Sequence, residues 1–541
     1  MTDLIQISSL EKILPKLECT AKQTDKITVL QGEEGAYQIA FKETHKTRIK
    51  ISVESDISEY VRVYSVGCVP VMLPLYENVL DDPDYIIKEP GMLPDILKPV
   101  ENGEIEGQGW YQSLWIKVGR EAPAGMHKII VRLSGEKESK SCELTYEVMP
   151  VRLPESDLIF TQWFHSDCLA SYYKVPVWSE EHWGFLEKFI KTAVDYGINM
   201  ILTPVFTPPL DTEVGGERPT CQLVKVKKNK NKYTFDFTLL ERWVTMCLGL
   251  GIKYFEISHL FTQWGAEFTP KIIAEENGEK KRIFGWDVSS ADSEYDNFLS
   301  QFLPELIRFL KERELFERTY FHISDEPSGE QLSSYLAAKN IAVKYLKSCK
   351  IIDALSEYEF YEKGIVELPV VQTDHISPFI GKPKELWGYY CCAQSRGVSN
   401  RFIAMPSSRN RYIALQMYKY KMTGFLQWGY NFYYAQFSKR EINPFLENDS
   451  GGAFPAGDPF SVYPGKDEPI ESIRLIVFYQ ALQDLSAMKL LEKHIGYDAV
   501  VKMIEDIAGE VVFDKCTSDP EIVLNIRNAV NDELKKAVCQ K

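Results

Sequence analysis

Two adjacent carboxylates, Asp325 and Glu326, follow a strand-like run and stand directly before Pro327. Acidic residues and proline also end strands in ordinary turns, and Ser328 with Gln331 has the spacing of a helix capping box. On these residues alone, a turn explains the pair as well as a catalytic site does. Pro327 predicts an extended backbone at Glu326. A twist or bulge is then needed for both side chains to reach one pocket.

The elements around the pair alternate between strand-like and helical segments from residue 158 onward. Apolar residues at helical spacing predict helices at 179–196, 239–250, 293–313 and 331–346. We expect a parallel (β/α)8 barrel, a TIM barrel, with the acidic pair at the end of its fourth strand, where the chemistry of such barrels lies. The predicted barrel strands are 158–164, 198–204, 252–259, 318–324, 350–356, 368–374, 386–392 and 424–430.

The N-terminal part of the chain has a different pattern. Short alternating or β-branched runs separated by turns extend from about Lys26 to Pro150, which is typical of a β-sandwich. We therefore predict an α/β chain in three parts: an N-terminal β-sandwich domain at 1–150, a catalytic barrel at 155–435, and a mainly helical extension at 436–541 that braces the barrel.

Side chains at the other predicted strand ends are aromatic or hydrogen-bonding, with few cations. Sugars present apolar faces to aromatic rings and hydroxyls to polar groups, so this set favours a carbohydrate ligand over a phosphate. Strands favour aromatic residues in any case, and each ring could instead pack beneath the loops. The candidate substrate-binding residues are Trp163, His165, His259, Trp264, Asp374, Tyr389, Tyr390, Trp428, Tyr430 and Asn431.

Adjacent carboxylates suit one reaction in particular. A retaining glycosidase normally places its two carboxylates on opposite sides of the bond that breaks. A 2-acetamido sugar can supply its own nucleophile, the acetamido oxygen, and then needs an acid at C1 and a carboxylate at the C2 amide. We assign Glu326 as general acid and base, and expect Asp325 to stay ionised beside the amide. The two groups titrate as a coupled pair.

Composition excludes several other functions. The chain has 62 Lys and Arg against 77 Asp and Glu, a net charge of −15, which disfavours binding to nucleic acid or an anionic membrane. The basic run at 225–232 is interpreted as a solvated hairpin tip. Neither an export signal nor an apolar run long enough for a membrane span is visible, and the eleven cysteines are scattered. We expect a cytoplasmic protein that acts on carbohydrate without a cofactor or metal; the sequence does not indicate the oligomeric state.

Several longer segments also resemble one enzyme family. The chain is similar to the bacterial glycoside hydrolases that include the family 123 β-N-acetylgalactosaminidases, through SLWIKVGREAPAGMHKIIVRL, HLFTQWGAEF, ISDEP, FLQWGYNFY, GDPFSVYPG and SIRLIVFYQALQDL. The resemblance implies that Asp325 is the substrate-assisting carboxylate, that Glu326 is the acid and base, and that an N-acetyl-β-galactosaminide is cleaved. Two departures stand out: Pro459 replaces a usual glycine, and the helix at 474–484 lacks the family's charged pattern.

Three alternatives remain open. A glycosidase of other specificity would use the same barrel, and a catalytically silent protein would bind sugar in the same pocket. A metal hydrolase would draw its ligands from acidic and imidazole side chains, although the first strand lacks the His-x-His pair that such barrels commonly use. Its candidate ligands are His165, Asp167, His259, His322, Asp325 and His375.

Overall fold

The N-terminal region consists of two antiparallel-rich sheets. The computed structural model describes residues 3–43, 45–136 and 138–539. The sheet orders are β1-β3-β8-β5-β6 and β2-β10-β9-β4-β7, and both sheets contribute side chains to one apolar core. The strands are β1 (Asp3–Ser8), β2 (Lys26–Gln31), β3 (Gly35–Lys42), β4 (Arg48–Glu54), β5 (Val61–Val71), β6 (Gly91–Pro99), β7 (Glu104–Glu106), β8 (Tyr111–Val118), β9 (Gly125–Ser134) and β10 (Ser139–Arg152).

The C-terminal part contains a closed barrel. Its order is β11-β12-β15-β18-β19-β20-β21-β22, and the parallel pairing of β22 with β11 closes it. All eight barrel strands fall within the predicted segments, which confirms the barrel. The strands are β11 (Ile159–Gln162), β12 (Met200–Thr203), β13 (Lys225–Asn229), β14 (Lys232–Asp236), β15 (Tyr254–Ile257), β16 (Ile272–Glu276), β17 (Glu279–Phe284), β18 (Thr319–Phe321), β19 (Lys350–Leu355), β20 (Leu368–Gln372), β21 (Trp387–Tyr389), β22 (Gly424–Gln427), β23 (Val462–Pro464) and β24 (Pro469–Glu471).

Helices surround the barrel where apolar spacing predicts them. The Ser179 side chain caps α2 by accepting from the His182 amide, and α2 buries its apolar face. Between β20 and β21, all of which the structure describes, only short 3-10 turns occur. The helices are α1 (Ser166–Tyr173), α2 (Glu180–Asp195), α3 (Thr238–Leu250), α4 (Ser293–Glu312), α5 (Leu332–Ala342), α6 (Tyr358–Glu362), α7 (Ser407–Lys419), α8 (Ile473–Ile495), α9 (Tyr497–Ala508) and α10 (Pro520–Cys539).

A small four-stranded sheet lies outside the barrel. Its order is β14-β13-β16-β17, so it joins the loop after β12 to the loop after β15. Strands β13 and β14 form an antiparallel hairpin with Lys230 at positive φ in the turn. The hairpin predicted from the basic run is therefore confirmed.

Buried ion pairs connect the C-terminal helices to the rest of the chain. Arg474 of α8 pairs with Asp95 of β6 at 2.9 Å. Arg527 of α10 pairs with Glu33 at 2.6 Å. These contacts join the C-terminal helices to the N-terminal region. The predicted bracing of the barrel and the exact domain boundaries stay predictions.

Two further findings concern membranes and cysteines. In residues 3–43, 45–136 and 138–539, no helix has the length and apolar character needed to cross a bilayer. The ten cysteines of the described chain outside α10 are free thiols.

Candidate active site

A cavity opens at the carboxyl ends of the barrel strands, and both acidic residues lie in its wall. Six of the residues predicted from strand ends contribute to that wall: Trp163, Trp264, Asp325, Glu326, Tyr389 and Trp428. The other described residues that line the cavity are Leu210, Asp211, Gln263, Ala354, Cys391, Cys392, Leu426, Gln436 and Phe454.

Backbone geometry explains how two consecutive side chains reach one cavity. Glu326 has φ +44°, in the left-handed region, so the extended backbone predicted from Pro327 is wrong. The Glu326 amide donates to the Ala354 carbonyl (3.1 Å), and the Asp325 carbonyl accepts from the Trp264 amide (2.8 Å). Neighbouring barrel segments therefore hold a conformation that costs a non-glycine residue of the order of 1–3 kcal/mol. The predicted change of direction exists, but a positive φ produces it rather than a bulge.

The Glu326 carboxylate is held through one oxygen. Tyr389 donates its hydroxyl to Oε1, and the Gln372 amide donates to the same oxygen at 3.2 Å. Gln372 lies on β20 and Tyr389 on β21, two strands that are paired with each other. The arrangement leaves Oε2 as the oxygen able to exchange a proton with a bound molecule.

Asp325 lies in a more acidic setting. Burial and the adjacent Glu326 raise the pKa of Asp325 well above its ordinary value, and the charges of Asp353 and Glu256 add to the rise. The imidazolium of His322 opposes the rise. The pair in the free site therefore retains a proton to higher pH than isolated carboxyls would. The expectation that Asp325 is ionised beside a bound amide concerns the occupied site and stays a prediction.

A buried ion triad lies beneath the pair. His322 Nε2 contacts Glu256 Oε1, and its Nδ1 lies 3.5 Å from Asp353 Oδ1, with all three side chains fully buried. Burial opposes protonation of His322, but the two carboxylates outweigh it and raise its pKa to about 9. Glu256 also accepts from the Trp163 indole at 2.7 Å, which fixes that ring in the cavity floor.

Three predicted residues lie beneath the loops instead of in the cavity wall. His165 accepts from Arg218 at Nδ1 (3.2 Å) and donates from Nε2 to the Trp428 carbonyl (3.0 Å). Asn431 bonds to the His165 backbone through both ends of its amide. Tyr430 is buried and donates to the Phe189 carbonyl at 3.0 Å. Their polar groups bond within the fold and the three residues lie outside the cavity wall, so a role in substrate binding stays a prediction.

The other three also lie outside the wall. His259 is buried and stacks on His322 at 4.2 Å, and burial with the His322 charge lowers its pKa well below the ordinary value. Tyr390 is buried against Phe425 because adjacent residues of a strand point to opposite faces. Asp374 is exposed and accepts from Gln394 at 2.9 Å.

Asp458 supports the cavity from the loop after β22. It accepts from the Trp428 indole at 2.9 Å. Burial raises the pKa of Asp458 to about 7, while Arg401 opposes the rise. The following Pro459 offers its carbonyl to the Phe432 amide at 3.2 Å. Only a carbonyl is needed there, and the fixed negative φ of proline is tolerated, so the usual family glycine is not required.

Several polar groups at the site were not predicted from the sequence. Gln372 ends β20, two residues before the predicted Asp374, and Asp458 lies within a segment quoted for the family resemblance. These two had a local signal. Gln263 had one as well, since it lies in the quoted segment HLFTQWGAEF beside Trp264. Asp211 lies well beyond the end of β12, where no periodic pattern marks a functional residue.

Four of the six residues suggested as metal ligands, His165, Asp167, His322 and His375, bond to other side chains. Within the described ranges, no group of three or more His, Cys, Asp or Glu side chains is arranged to hold a metal ion. His165 is bonded to Arg218, and His322 lies between Glu256 and Asp353.

Comparison with protein families identifies the barrel. The family model for the catalytic domain of glycoside hydrolase 123 matches residues 163–491. The chain belongs to glycoside hydrolase family 123. The match begins at Trp163, at the end of the first barrel strand, and runs into α8. Membership supports hydrolysis of a glycoside by this chain.

Solved structures agree on the fold. A family 123 glycoside hydrolase from Clostridium perfringens, studied for glycolipid glycan hydrolysis, has a TM-score of 0.75 at 16% identity, with 100% of both chains covered. At this identity the likeness shows the shared fold. A β-glucuronidase from Parabacteroides merdae has a TM-score of 0.29 at 10% identity, covering 84% of this chain and 51% of its own. No curated protein matches the chain.

Proposed function

We propose that this glycoside hydrolase releases terminal β-linked 2-acetamido sugars, N-acetyl-β-galactosaminides foremost, by a retaining and substrate-assisted mechanism. The observation that carries the proposal is the shared cavity of Asp325 and Glu326, two consecutive residues that the positive φ of Glu326 directs to one ligand. The targets of such a pair are neighbouring ring atoms, the oxygen on C1 and the amide on C2.

The first step breaks the glycosidic bond. Glu326 donates a proton from Oε2 to the glycosidic oxygen while Tyr389 and Gln372 hold Oε1. The acetamido oxygen forms a bond to C1 as the bond from C1 to the leaving group breaks, which gives an oxazolinium ion. Asp325 accepts a hydrogen bond from the amide N–H and stabilises the positive charge.

The second step restores the enzyme. Glu326, now a carboxylate, takes a proton from water as the water oxygen bonds to C1 and the bond from C1 to the amide oxygen breaks. Two displacements at C1 retain its configuration. The aromatic rings of Trp264 and Trp428 are suited to the apolar face of the sugar.

Binding of the amide determines which carboxyl holds the shared proton. In the free site, burial and the adjacent Glu326 raise the pKa of Asp325 well above its ordinary value. An amide N–H beside Asp325 requires an acceptor, which favours its carboxylate form. The shared proton is then on Glu326, the residue that donates it to the glycosidic oxygen.

The experiment measures hydrolysis of 4-nitrophenyl glycosides, with N-acetyl-β-galactosaminide and N-acetyl-β-glucosaminide in the set. The preferred substrate is then prepared with one, two or three fluorines on the acetamido methyl. Fluorine weakens the amide oxygen as a nucleophile, so kcat/KM should fall steeply with each fluorine.

Equal rates across the fluorinated series would reject amide participation and favour a conventional nucleophile. A protein that binds the amino sugar but cleaves no glycoside in the set would reject the hydrolase and favour the silent binding protein.

A further inference from the structure

The wall of the cavity opposite Tyr389 contains two polar side chains that the proposed reaction does not use. Asp211 comes from the loop after β12, and Gln263 comes from the loop after β15. The Asp211 amide donates to Gln263 Oε1 at 2.6 Å, so the two residues form one unit.

Gln263 has an unused donor. Gln263 as a whole residue is 5% exposed, and its Nε2 meets no acceptor in the described part of the chain. Oε1 is fixed by the Asp211 amide, so the amide group cannot rotate to exchange its two ends without losing that bond. A buried donor left unpaired costs about 1–3 kcal/mol, and a ligand hydroxyl would remove that cost.

Asp211 supplies an acceptor beside that donor. The Phe437 amide donates to its Oδ2 at 3.0 Å, which leaves Oδ1 as an acceptor. Arg218 donates to the carbonyl of the preceding residue, Leu210, at 3.0 Å and thereby fixes the backbone at Asp211. Burial raises the pKa of Asp211 to about 6, against the lowering effect of the Phe437 amide and Arg218.

The order of the polar groups around the wall indicates which ring carbons Gln263 and Asp211 would face. Glu326 is held from the β20 and β21 side, Asp325 is adjacent, and Trp264, next to Gln263, bonds to the Asp325 backbone from the other side. On the proposed function, Glu326 lies at C1 and Asp325 at C2. The next carbons of the ring, C3 and C4, then come to Gln263 and Asp211.

We propose that Asp211 and Gln263 form the subsite that binds the hydroxyls on C3 and C4 of the terminal sugar. A donor and an acceptor side by side match two neighbouring hydroxyls, each of which can donate and accept. This inference rests on the proposed function for the orientation of the ring.

The test compares sugars with and without these hydroxyls. Binding of N-acetylgalactosamine and of its 3-deoxy and 4-deoxy analogues is measured by calorimetry for the wild type, for Asp211→Asn and for Gln263→Glu. Both substitutions keep the size of the side chain, and Glu at 263 still accepts from the Asp211 amide. Glu213→Gln is the matched control, because this exposed carboxylate of the same loop pairs with Lys439 outside the cavity wall.

We expect each missing hydroxyl to weaken binding by the wild type about tenfold to a hundredfold, the range for a hydrogen bond to a buried polar or charged group. In Asp211→Asn or Gln263→Glu, at least one of these penalties should shrink to less than about threefold. The control should keep both penalties.

Binding requires no turnover, so the two ideas can fail separately. The subsite would be overturned if both variants lost as much affinity for the 3-deoxy and 4-deoxy sugars as the wild type does. It would also be overturned if the wild type bound no sugar. The proposed function fails alone if the wild type cleaves no 2-acetamido glycoside. The subsite still stands in that case, provided that the loss of affinity for the deoxy sugars is smaller in the variants than in the wild type.

Discussion

The carboxyl of Asp325 lies among Glu326, Glu256 and Asp353, with the His322 imidazolium as the opposing charge. Such a pair loses its two protons in two steps, and the apparent pKa of each step describes the pair rather than one residue. Catalysis needs the form with one proton, since that form supplies both an acid and a carboxylate.

This setting predicts a bell-shaped dependence of kcat/KM on pH. The pKa of Asp325 is raised, so the pair keeps its last proton above the ordinary carboxyl range, and activity falls only when the pH passes that higher value. On the acidic side, activity falls as the second carboxyl takes up a proton. The measurement uses 4-nitrophenyl and 2,4-dinitrophenyl glycosides. The better leaving group needs less acid catalysis, so an equally steep alkaline fall for both would contradict the assignment.

Replacement of Glu326 tests the acid itself. Glu326→Gln should lower kcat about 10²- to 10⁴-fold on substrates with a poor leaving group and much less on the dinitrophenyl glycoside. The side chain changes little in size, so the unfolding midpoint should stay close to that of the wild type. Glu330→Gln, an exposed change in the same loop, is the control. A uniform loss on all substrates would argue against an acid role.

The sequence predicted which kinds of residue line the cavity better than it predicted which way each side chain points. It placed the acidic pair and four aromatic residues of the cavity wall, because parallel barrel strands end at one mouth. It could not separate Tyr389 from Tyr390, since alternation decides the face only when the phase of the strand is known. It also could not foresee the positive φ of Glu326, which depends on bonds to Ala354 and Trp264.

The element that presents the pair is the end of β18. Asp353, on the adjacent strand β19, accepts from the amides of Ile323 (2.9 Å) and Ser324 (3.3 Å). A side chain therefore occupies backbone donors that a longer strand would use in its ladder. The regular strand ends at Phe321, and the segment that follows turns toward the cavity while the His322 and Ile323 carbonyls accept from the Leu260 and Phe261 amides.

Loss of His322 should weaken this element strongly. His322→Gln leaves Glu256 and Asp353 buried without their cation, and breaking a buried ion pair costs about 3–5 kcal/mol of unfolding free energy. The pKa of His322 is raised to about 9 from 6.5, so its stabilisation is complete below pH 6.5 and disappears as the pH rises through 9.

Urea denaturation at several pH values measures the effect. The difference between wild type and His322→Gln should be largest at the lower pH values and shrink toward pH 9. His375→Gln, which changes an exposed imidazole, should alter the unfolding free energy by less than about 0.5 kcal/mol. A similar small change for His322→Gln would show that the triad does not support the strand end.

The barrel strands were predictable because both faces of each are buried, which gives continuous apolar runs. The second hairpin of the small sheet, β16 with β17, was not predicted. Its outer strand reads Glu279-Lys-Lys-Arg-Ile-Phe284, and most of these side chains are exposed, so no apolar alternation marks it.

Over the whole molecule, a chain of contacts runs from the N-terminal sheet to the cavity. Asp95 of β6 pairs with Arg474, and Arg474 donates to the carbonyls of Gly457 and Phe460 at 2.6 Å each. Between those two residues lies Asp458, which holds the Trp428 indole. The N-terminal region therefore helps to position an aromatic residue of the site.

Asp95→Asn tests this connection. It leaves Arg474 buried with a neutral partner, and the unfolding free energy should fall by about 3–5 kcal/mol. Thermal and urea unfolding measure the loss. Asp506→Asn, which removes an exposed pair with Lys502, should change it by less than about 1 kcal/mol. Equal effects from both variants would mean that the buried pair adds no stability at this interface.

The small sheet formed by β13, β14, β16 and β17 ties the loop of Asp211 to the loop of Gln263. An engineer who wished to redirect this enzyme to another sugar would therefore have to transplant both loops as a single cassette. An exchange of one loop alone would cut across a shared sheet. The acidic pair follows a separate barrel strand, β18, but the Asp325 carbonyl accepts from the Trp264 amide, so the cassette would also have to preserve the backbone at Trp264.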